Sequence, residues 1–110
     1  MTRLTVTYGR SFLEAARAAY PLARSLTYSG PNYEEFMTGP VLAARIQFER
    51  DWDTLLPEAG DVVRKVFLAP SREFGPILVY GYLTAPDQVE IVSFEEDTEF
   101  WAMIQGDPDG

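Results

Sequence analysis

The stretch ILVYGYLTAPDQVEIVSF, residues 77–94, decides the predicted fold. Its two ends are apolar and rich in β-branched and aromatic residues, and the segment Ala85–Gln88 between them contains a proline and an aspartate. Proline fixes φ at about −65°, which suits the second position of a turn, and aspartate is frequent in turns. The pattern predicts two strands, residues 77–84 and 88–94, that pair as an antiparallel hairpin.

Upstream of the hairpin, the sequence predicts a third strand and a helix. Val62–Ala69 is a β-branched, apolar run that the loop Pro70–Pro76 separates from the hairpin. Pro40 marks the start of the helix, because proline is favoured at the first helical position. The apolar stripe of this helix, at spacings of three and four, is predicted to comprise Val41, Ala44, Phe48, Trp52 and Leu55. Pro57 and Gly60 are predicted to end the helix.

The N-terminal segment predicts one strand and one helix. Leu4–Tyr8 alternates apolar and polar residues, as a half-buried strand does. Ser11 and Glu14 have the spacing of a capping box, which predicts a helix from this point. Its apolar stripe is predicted to comprise Phe12, Ala15, Ala16, Ala19 and Leu22. Pro21 predicts a break near Tyr20, because proline cannot donate a backbone hydrogen bond.

The C-terminal segment predicts a short helix and a tail. Asp97 or Thr98 is the candidate N-cap of a helix through Phe100–Ile104, and residues 106–110 are predicted to fray. Residues 1–110 therefore form a single domain with the element order β-α-α-β-β-β-α. Helices bury their apolar stripes by covering one face of a sheet. The predicted fold class is α+β, with two layers, an antiparallel sheet and helices packed on one face.

Three apolar segments, residues 62–66 (VVRKV), 76–80 (PILVY) and 89–94 (VEIVSF), follow the strand and the two helices. This arrangement resembles the RelE/ParE toxin superfamily, in which a first strand and a helical hairpin precede a three-stranded meander. The resemblance implies a toxin of a toxin–antitoxin pair, either a ribosome-dependent RNase or a topoisomerase poison.

The chain departs from that family where the family is basic. Gly75-Pro76 stands at the start of the second meander strand, where the family commonly has a basic residue, and Glu95–Glu99 stands at its basic end. Arg64, Lys65 and Arg72 are the basic residues that could match family positions. Because acids at the substrate-binding end would repel RNA, RNase activity does not follow from the resemblance.

The composition excludes several kinds of active site. The chain contains no His and no Cys. Catalysis by Ser-His or Cys-His pairs and zinc sites built on Cys and His are thereby excluded. The sequence predicts a protein that is not an enzyme and that binds no cofactor or metal. No segment has the pattern of a signal peptide or a membrane span, which predicts a cytoplasmic protein.

The charge distribution is asymmetric. All nine basic residues lie at or before Arg72, and nine of the 17 acids follow it, so the net charge of −8 belongs to the C-terminal end. A strong negative potential repels nucleic acid and anionic membranes and attracts basic protein surfaces. The predicted partner is a basic protein surface, for example on a nucleic-acid-handling enzyme. The sequence is compatible with a monomer and with a homodimer.

An acidic run followed by aromatic residues is the candidate partner-binding site. Trp is enriched in binding hot spots, and acids around it select a basic partner. The predicted site residues are Glu90, Glu95, Glu96, Asp97, Glu99 and Trp101. The alternative interpretation is structural: the acids begin a helix and complement its dipole, and the tryptophan packs on the core.

These observations predict a non-enzymatic acidic protein-binding domain, an inhibitor or immunity-type protein that covers a basic surface of its target. A phage-encoded inhibitor such as an anti-CRISPR protein fits this description, although no motif points to one. A RelE/ParE-like toxin and a homodimeric structural subunit that pairs through an exposed strand edge are the alternatives.

Two further groups of residues receive structural interpretations. Tyr80 and Tyr82 share one face of a strand and could stack on bases, but their acidic surroundings favour packing in the core or across strands. Glu49, Asp51 and Asp53 lack the alternating spacing of a calcium loop and are interpreted as a solvated helix face.

Overall fold

The computed structural model of the chain describes residues 3–22, 30–60, 62–71 and 74–96. The strands are β1 (Thr5–Tyr8), β2 (Leu56–Ala59), β3 (Val63–Leu68), β4 (Ile77–Ala85) and β5 (Gln88–Glu96). The α-helices are α1 (Arg10–Ala19), α2 (Tyr33–Phe36) and α3 (Leu42–Asp51), with a π-helical turn at Met37–Val41 and a 3-10 turn at Trp52–Thr54. The α+β class predicted from the sequence is confirmed.

The five strands form one mixed sheet in the order β1-β5-β4-β3-β2. β4 and β5 pair antiparallel, as the predicted hairpin requires, and β3 pairs antiparallel with β4. β1, however, runs parallel to β5. The prediction of an antiparallel sheet is wrong at this edge. No hairpin joins β1 to β5, and the chain between them, residues 9–87, is long enough for the crossover that parallel neighbours require.

β2 is a strand that the sequence analysis missed. Pro57 and Gly60 predict the end of a helix, yet Pro57 pairs with Arg64 of β3, and the ladder is irregular between Pro57 and Ala59. Proline is tolerated on edge strands and at bulges, and β2 is an edge of this sheet. Gly60 turns the chain towards β3 at a φ of 56°, a left-handed conformation that glycine adopts without a steric penalty.

α1 begins at Arg10, before the predicted capping box, and no side chain caps it. Gly9 is the N-cap residue, and its N–H donates to the Ile91 carbonyl of β5 at 2.9 Å. The ladder of β1 thus continues up to the first turn of the helix. Glu14 forms an ion pair with Arg10 at 3.3 Å. The capping box predicted for Ser11 and Glu14 is therefore wrong.

α1 ends where Pro21 predicts. Tyr20 is the C-cap residue and has an extended backbone conformation. The buried stripe is narrower than predicted, because only two of its five positions are buried. Phe12 and Ala16 are buried, whereas the exposed members of the predicted stripe are Ala15, Ala19 and Leu22.

The second helical segment begins earlier than predicted. Asn32 and Glu35 form a capping box at the start of α2, with side chain-to-backbone distances of 2.9 and 3.0 Å. Pro40, predicted as the first helical residue, lies inside the π-helical turn. Proline cannot donate to an α-helical ladder. The wider π turn accommodates the residue that lacks an N–H group. α3 follows directly at Leu42.

One buried cluster joins the helices to the sheet. Phe12 of α1 and Ala44 and Phe48 of α3 belong to it, together with alternate residues of the strands. Its strand members are Val6, Val66, Ile77, Val79, Val89 and Ile91. Trp52 is 7% exposed and extends the cluster beyond the end of α3, which confirms its predicted place in the core. Full burial of such side chains contributes about 1.5–3 kcal/mol each, so this cluster is the main stabilising feature of the domain.

Candidate protein-binding face

The side of the sheet away from the buried cluster presents aromatic and acidic side chains on β4 and β5. Successive side chains point to opposite faces of a strand. Val79 of β4 is buried in the cluster, so Tyr80 and its alternate neighbours point to the other side. The Tyr–Glu face, as we name this surface, comprises Tyr80, Tyr82, Glu90 and Glu95.

A register shift brings Glu90 and Glu95 of β5 to the same side of the sheet. Tyr82 lies opposite Glu90, but the pairing of β4 with β5 slips next to Tyr80, and Val92 has no opposite residue on β4. In a regular strand, Glu90 and Glu95 would point to opposite faces, because they are an odd number of residues apart. The extra residue reverses this relationship, as β-bulges do when they re-aim side chains.

Tyr80 and Tyr82 do not lie in the core. Tyr82 is 43% exposed and Tyr80 is half-buried, and neither belongs to the buried cluster. The Tyr80 hydroxyl donates a hydrogen bond to Oε1 of Glu95 on the neighbouring strand. The prediction of core packing is thus wrong for this pair, whereas its cross-strand alternative describes the observed contacts.

Glu90 is held at the start of α1. Its side chain is half-buried, and a Cβ atom placed on Gly9 would lie only 2.8 Å from its Oε2 atom. Gly9 therefore leaves the space that the carboxylate occupies. The N-terminus of a helix carries a partial positive charge, which stabilises a nearby carboxylate. Glu90 thus lies where the Tyr–Glu face meets the start of α1.

The remaining predicted site residues lie at or beyond the end of β5. Glu95 and Glu96 are exposed. Asp97, Glu99 and Trp101 lie outside the described residues. Within the described part of the chain, no ion pair involves Glu90, Glu95 or Glu96.

Several basic residues, in contrast, are engaged locally. Lys65 of β3 pairs with Glu58 of β2 at 3.0 Å. Arg45 pairs with Glu49 at 3.4 Å, and its guanidinium lies over the Tyr8 ring, 5.9 Å from the centroid. The pKa of Arg45 is raised, first by its contact with Tyr8 and then by the carboxylate of Glu49. Arg45 therefore stays a cation whose charge is offset within the domain.

Arg64 of β3 forms hydrogen bonds with the backbone that follows α3. Its Nη1 atom donates to the backbone carbonyls of Trp52, Asp53 and Leu55 at 3.1–3.2 Å. Arg64 is one of the basic residues that could match a position of the RelE/ParE family. These hydrogen bonds engage its Nη1 atom inside the domain. Arg72, another such residue, lies outside the described part of the chain.

The carboxylates around Trp52 do not form a metal site. Across residues 3–22, 30–60, 62–71 and 74–96, no group of three or more His, Cys, Asp or Glu side chains could hold a metal ion. No helix within these ranges has the length and apolarity needed to cross a membrane.

A groove of about 490 Å³ lies between the π-helical turn and the β3–β4 connection. Its walls include Pro40, Ala43, Leu68, Phe74 and Ile77. This groove does not follow from the sequence pattern, because one of its walls depends on a π turn where the position of Pro40 predicts the start of a helix. Glu35 lines the groove, and its carboxylate also accepts a hydrogen bond from the Asn32 N–H at the start of α2.

Comparisons with protein-family models, curated proteins and solved structures found no match for this chain. The candidate function therefore depends on the residues and geometry of the domain itself.

Proposed function

We propose that this chain is a non-enzymatic acidic protein-binding domain, an inhibitor or immunity-type protein that acts in the cytoplasm by covering a basic surface of its target. The observation that carries the proposal is the Tyr–Glu face. It combines an exposed tyrosine, Tyr82, with the carboxylates of Glu90 and Glu95, for which the described part of the chain supplies no ion-pair partner. A phage-encoded inhibitor such as an anti-CRISPR protein would have such a face.

The charge of the chain supports a basic partner. The net charge is −8. The acids of β5 lie in the C-terminal segment after Arg72, which contains no basic residue. Complementary charge raises the association rate and disfavours partners of like charge. At physiological salt the screening length is about 8 Å, so the acids act mainly on a partner that already approaches the face.

The exposed aromatic ring supports binding of a protein rather than of free ions. Tyr is enriched among the residues that contribute most to interface affinity, because a rigid ring buries a large area and keeps a polar end. Tyr82 has this environment, with Glu90 opposite it on one side and Val63 on the other. A partner that covers Tyr82 would also desolvate the neighbouring carboxylate, which then favours a cation in the partner.

A charge-reversal experiment tests this proposal. The partner is first captured from the host cells with the tagged chain and purified. Association rates are then measured for the parent, for Glu90→Lys/Glu95→Lys, whose fold is checked by circular dichroism, and for Asp51→Lys/Asp53→Lys. The last variant carries the same change in charge on exposed residues at the end of α3.

We expect Glu90→Lys/Glu95→Lys to associate about tenfold more slowly than the parent at low salt, with the difference shrinking as salt is added. The Asp51→Lys/Asp53→Lys control should change the rate less than about threefold, because its charges lie outside the face. Equal rates for the two double variants would contradict the proposal, since the effect would then reflect net charge alone.

A RelE/ParE-like toxin is the second candidate, because β1, the helical segments and the β3–β4–β5 meander follow in the order of that family. Arg64 and Lys65 weigh against it, since they contact backbone carbonyls and Glu58. Induced expression in the host distinguishes the two candidates. Growth arrest that a neighbouring antitoxin gene relieves would support the toxin, and normal growth would support the binding domain.

A further inference from the structure

The chain already contains a site in which a tyrosine and a glutamate hold an arginine. The guanidinium of Arg45 lies over the ring of Tyr8, 5.9 Å from its centroid, and its Nε atom is 3.4 Å from Oε1 of Glu49. One guanidinium thus contacts an aromatic ring and a carboxylate at the same time. Tyr82 and Glu90 bring the same two groups together on the Tyr–Glu face.

Tyr82 and Glu90 lie next to each other on the Tyr–Glu face, with Tyr82 exposed and Glu90 half-buried. The two residues are direct cross-strand neighbours, so their Cβ atoms are about 4.5–5.5 Å apart. Tyr82 is 43% exposed, and the carboxylate of Glu90 is positioned beside Gly9. Within the described part of the chain, Tyr82 and Glu90 form no ion pair or cation–π contact.

We infer that the basic partner is recognised through an arginine side chain, which stacks on Tyr82 and pairs with Glu90, and that lysine is a poor substitute. This inference rests on the proposed function and adds the chemistry of the contact. A planar guanidinium stacks on a ring and donates several hydrogen bonds to a carboxylate from the same group. An ammonium group is a compact, strongly hydrated charge and does not stack.

The neighbouring Tyr80–Glu95 pair extends the same chemistry along the sheet. The Tyr80 hydroxyl holds the Glu95 carboxylate by a hydrogen bond, so this acid also has a preferred position. Glu95 is exposed at the side of the face away from Glu90. A partner segment with two arginines can therefore contact both carboxylates.

Two peptides of equal charge and length test the inference, one with arginine and serine in alternation and one with lysine and serine. Binding is measured by fluorescence anisotropy at low salt, with a neutral serine–glycine peptide as the blank. We expect the parent to bind the arginine peptide roughly five- to tenfold more tightly, the range that one cation–π contact and a bidentate pair provide. Tyr82→Phe should keep this preference, because the ring remains.

Tyr82→Leu and Glu90→Gln should each reduce the preference to about twofold or less, while circular dichroism shows an unchanged fold. Asp87→Asn is the matched control: it removes the same charge at an exposed turn position, where asparagine is equally suited, and should keep the preference.

Equal binding of both peptides by the parent would overturn the inference and leave the proposed function standing. Binding of neither peptide above the blank would overturn both. A preference that survives Tyr82→Leu and Glu90→Gln would overturn this site.

Discussion

The guanidinium carbon of Arg64 lies 5.4 Å from the centroid of the Trp52 ring, and Nη1 of Arg64 donates a hydrogen bond to the Trp52 carbonyl at 3.1 Å. The same atom also contacts the carbonyls of Asp53 and Leu55. These carbonyls follow the C-terminal end of α3, where unpaired acceptors concentrate negative partial charge. One cation of β3 thus fixes the end of the helix to the sheet.

We predict that Arg64→Met lowers the free energy of unfolding by about 2–3 kcal/mol, because hydrogen bonds to a charged group and a cation–π contact are lost together. Among the described residues the buried Nε atom of Arg64 has no hydrogen-bond partner, which offsets part of the stabilisation in the parent. Urea unfolding followed by tryptophan fluorescence measures the change. Arg50→Met, at an exposed position on α3, is the control and should cost less than about 0.5 kcal/mol. Equal losses in the two variants would contradict this role of Arg64.

Gly81 gives the second prediction, because β4 passes directly beneath the Phe48 ring. A Cβ atom on Gly81 would lie 2.8 Å from Cε1 of Phe48 and 3.0 Å from Cγ1 of Val89. Gly81→Ala should therefore destabilise the domain by about 1–3 kcal/mol, as overpacking in cores does. Gly39→Ala is the control, since a Cβ atom on Gly39 would meet nothing within 4 Å and alanine is the better helix former.

The Phe48 ring is the reason for that cost, and a double-mutant cycle with Phe48→Leu measures it. Phe48→Leu should destabilise the domain by itself, but adding Gly81→Ala to it should cost about 1 kcal/mol less than adding it to the parent. Additive losses would show that the clash is not with Phe48.

Trp52→Ala gives the third prediction, an unfolding free energy about 3–5 kcal/mol below that of the parent. Trp52 is 7% exposed and its ring centroid lies 6.0 Å from that of Phe48, so truncation leaves a cavity next to the largest core residues. A domain of this size has only about 5–15 kcal/mol of stability in total, so the variant should be marginal at 37 °C. A loss below about 1 kcal/mol in urea unfolding would place Trp52 outside the core.

The hairpin and the core stripe of α3 were predictable because they depend on local patterns. Residues 77–94 contain both strands and their turn, and Val41, Ala44, Phe48 and Trp52 repeat at the helical period. The π turn around Pro40 and the short strand at Pro57 were not predictable in this way. In both places tertiary packing overrides the usual effect of proline, since one lies in a widened turn and the other on a sheet edge.

The candidate site was predictable only as a charge pattern. The exposure of Glu95 and Glu96 follows from their sequence context. The shared side of Glu90 and Glu95 does not, because it depends on a register shift between β4 and β5 that no single-strand pattern encodes. The outward orientation of Tyr82 could not be predicted either. The β4 sequence alone does not show which of its two sides packs against the buried cluster.

The last prediction is that the chain does not bind DNA or RNA at micromolar concentration. The net charge is −8, and nine acids but no basic residue follow Arg72. Nucleic-acid affinity comes largely from lysine and arginine contacts with phosphates, and the described domain engages Arg45, Arg64 and Lys65 in internal contacts. Gel-shift assays with labelled single-stranded RNA and duplex DNA at low and physiological salt measure binding. A shift that weakens as salt is raised would contradict the prediction and would favour a RelE/ParE-like toxin over the binding domain.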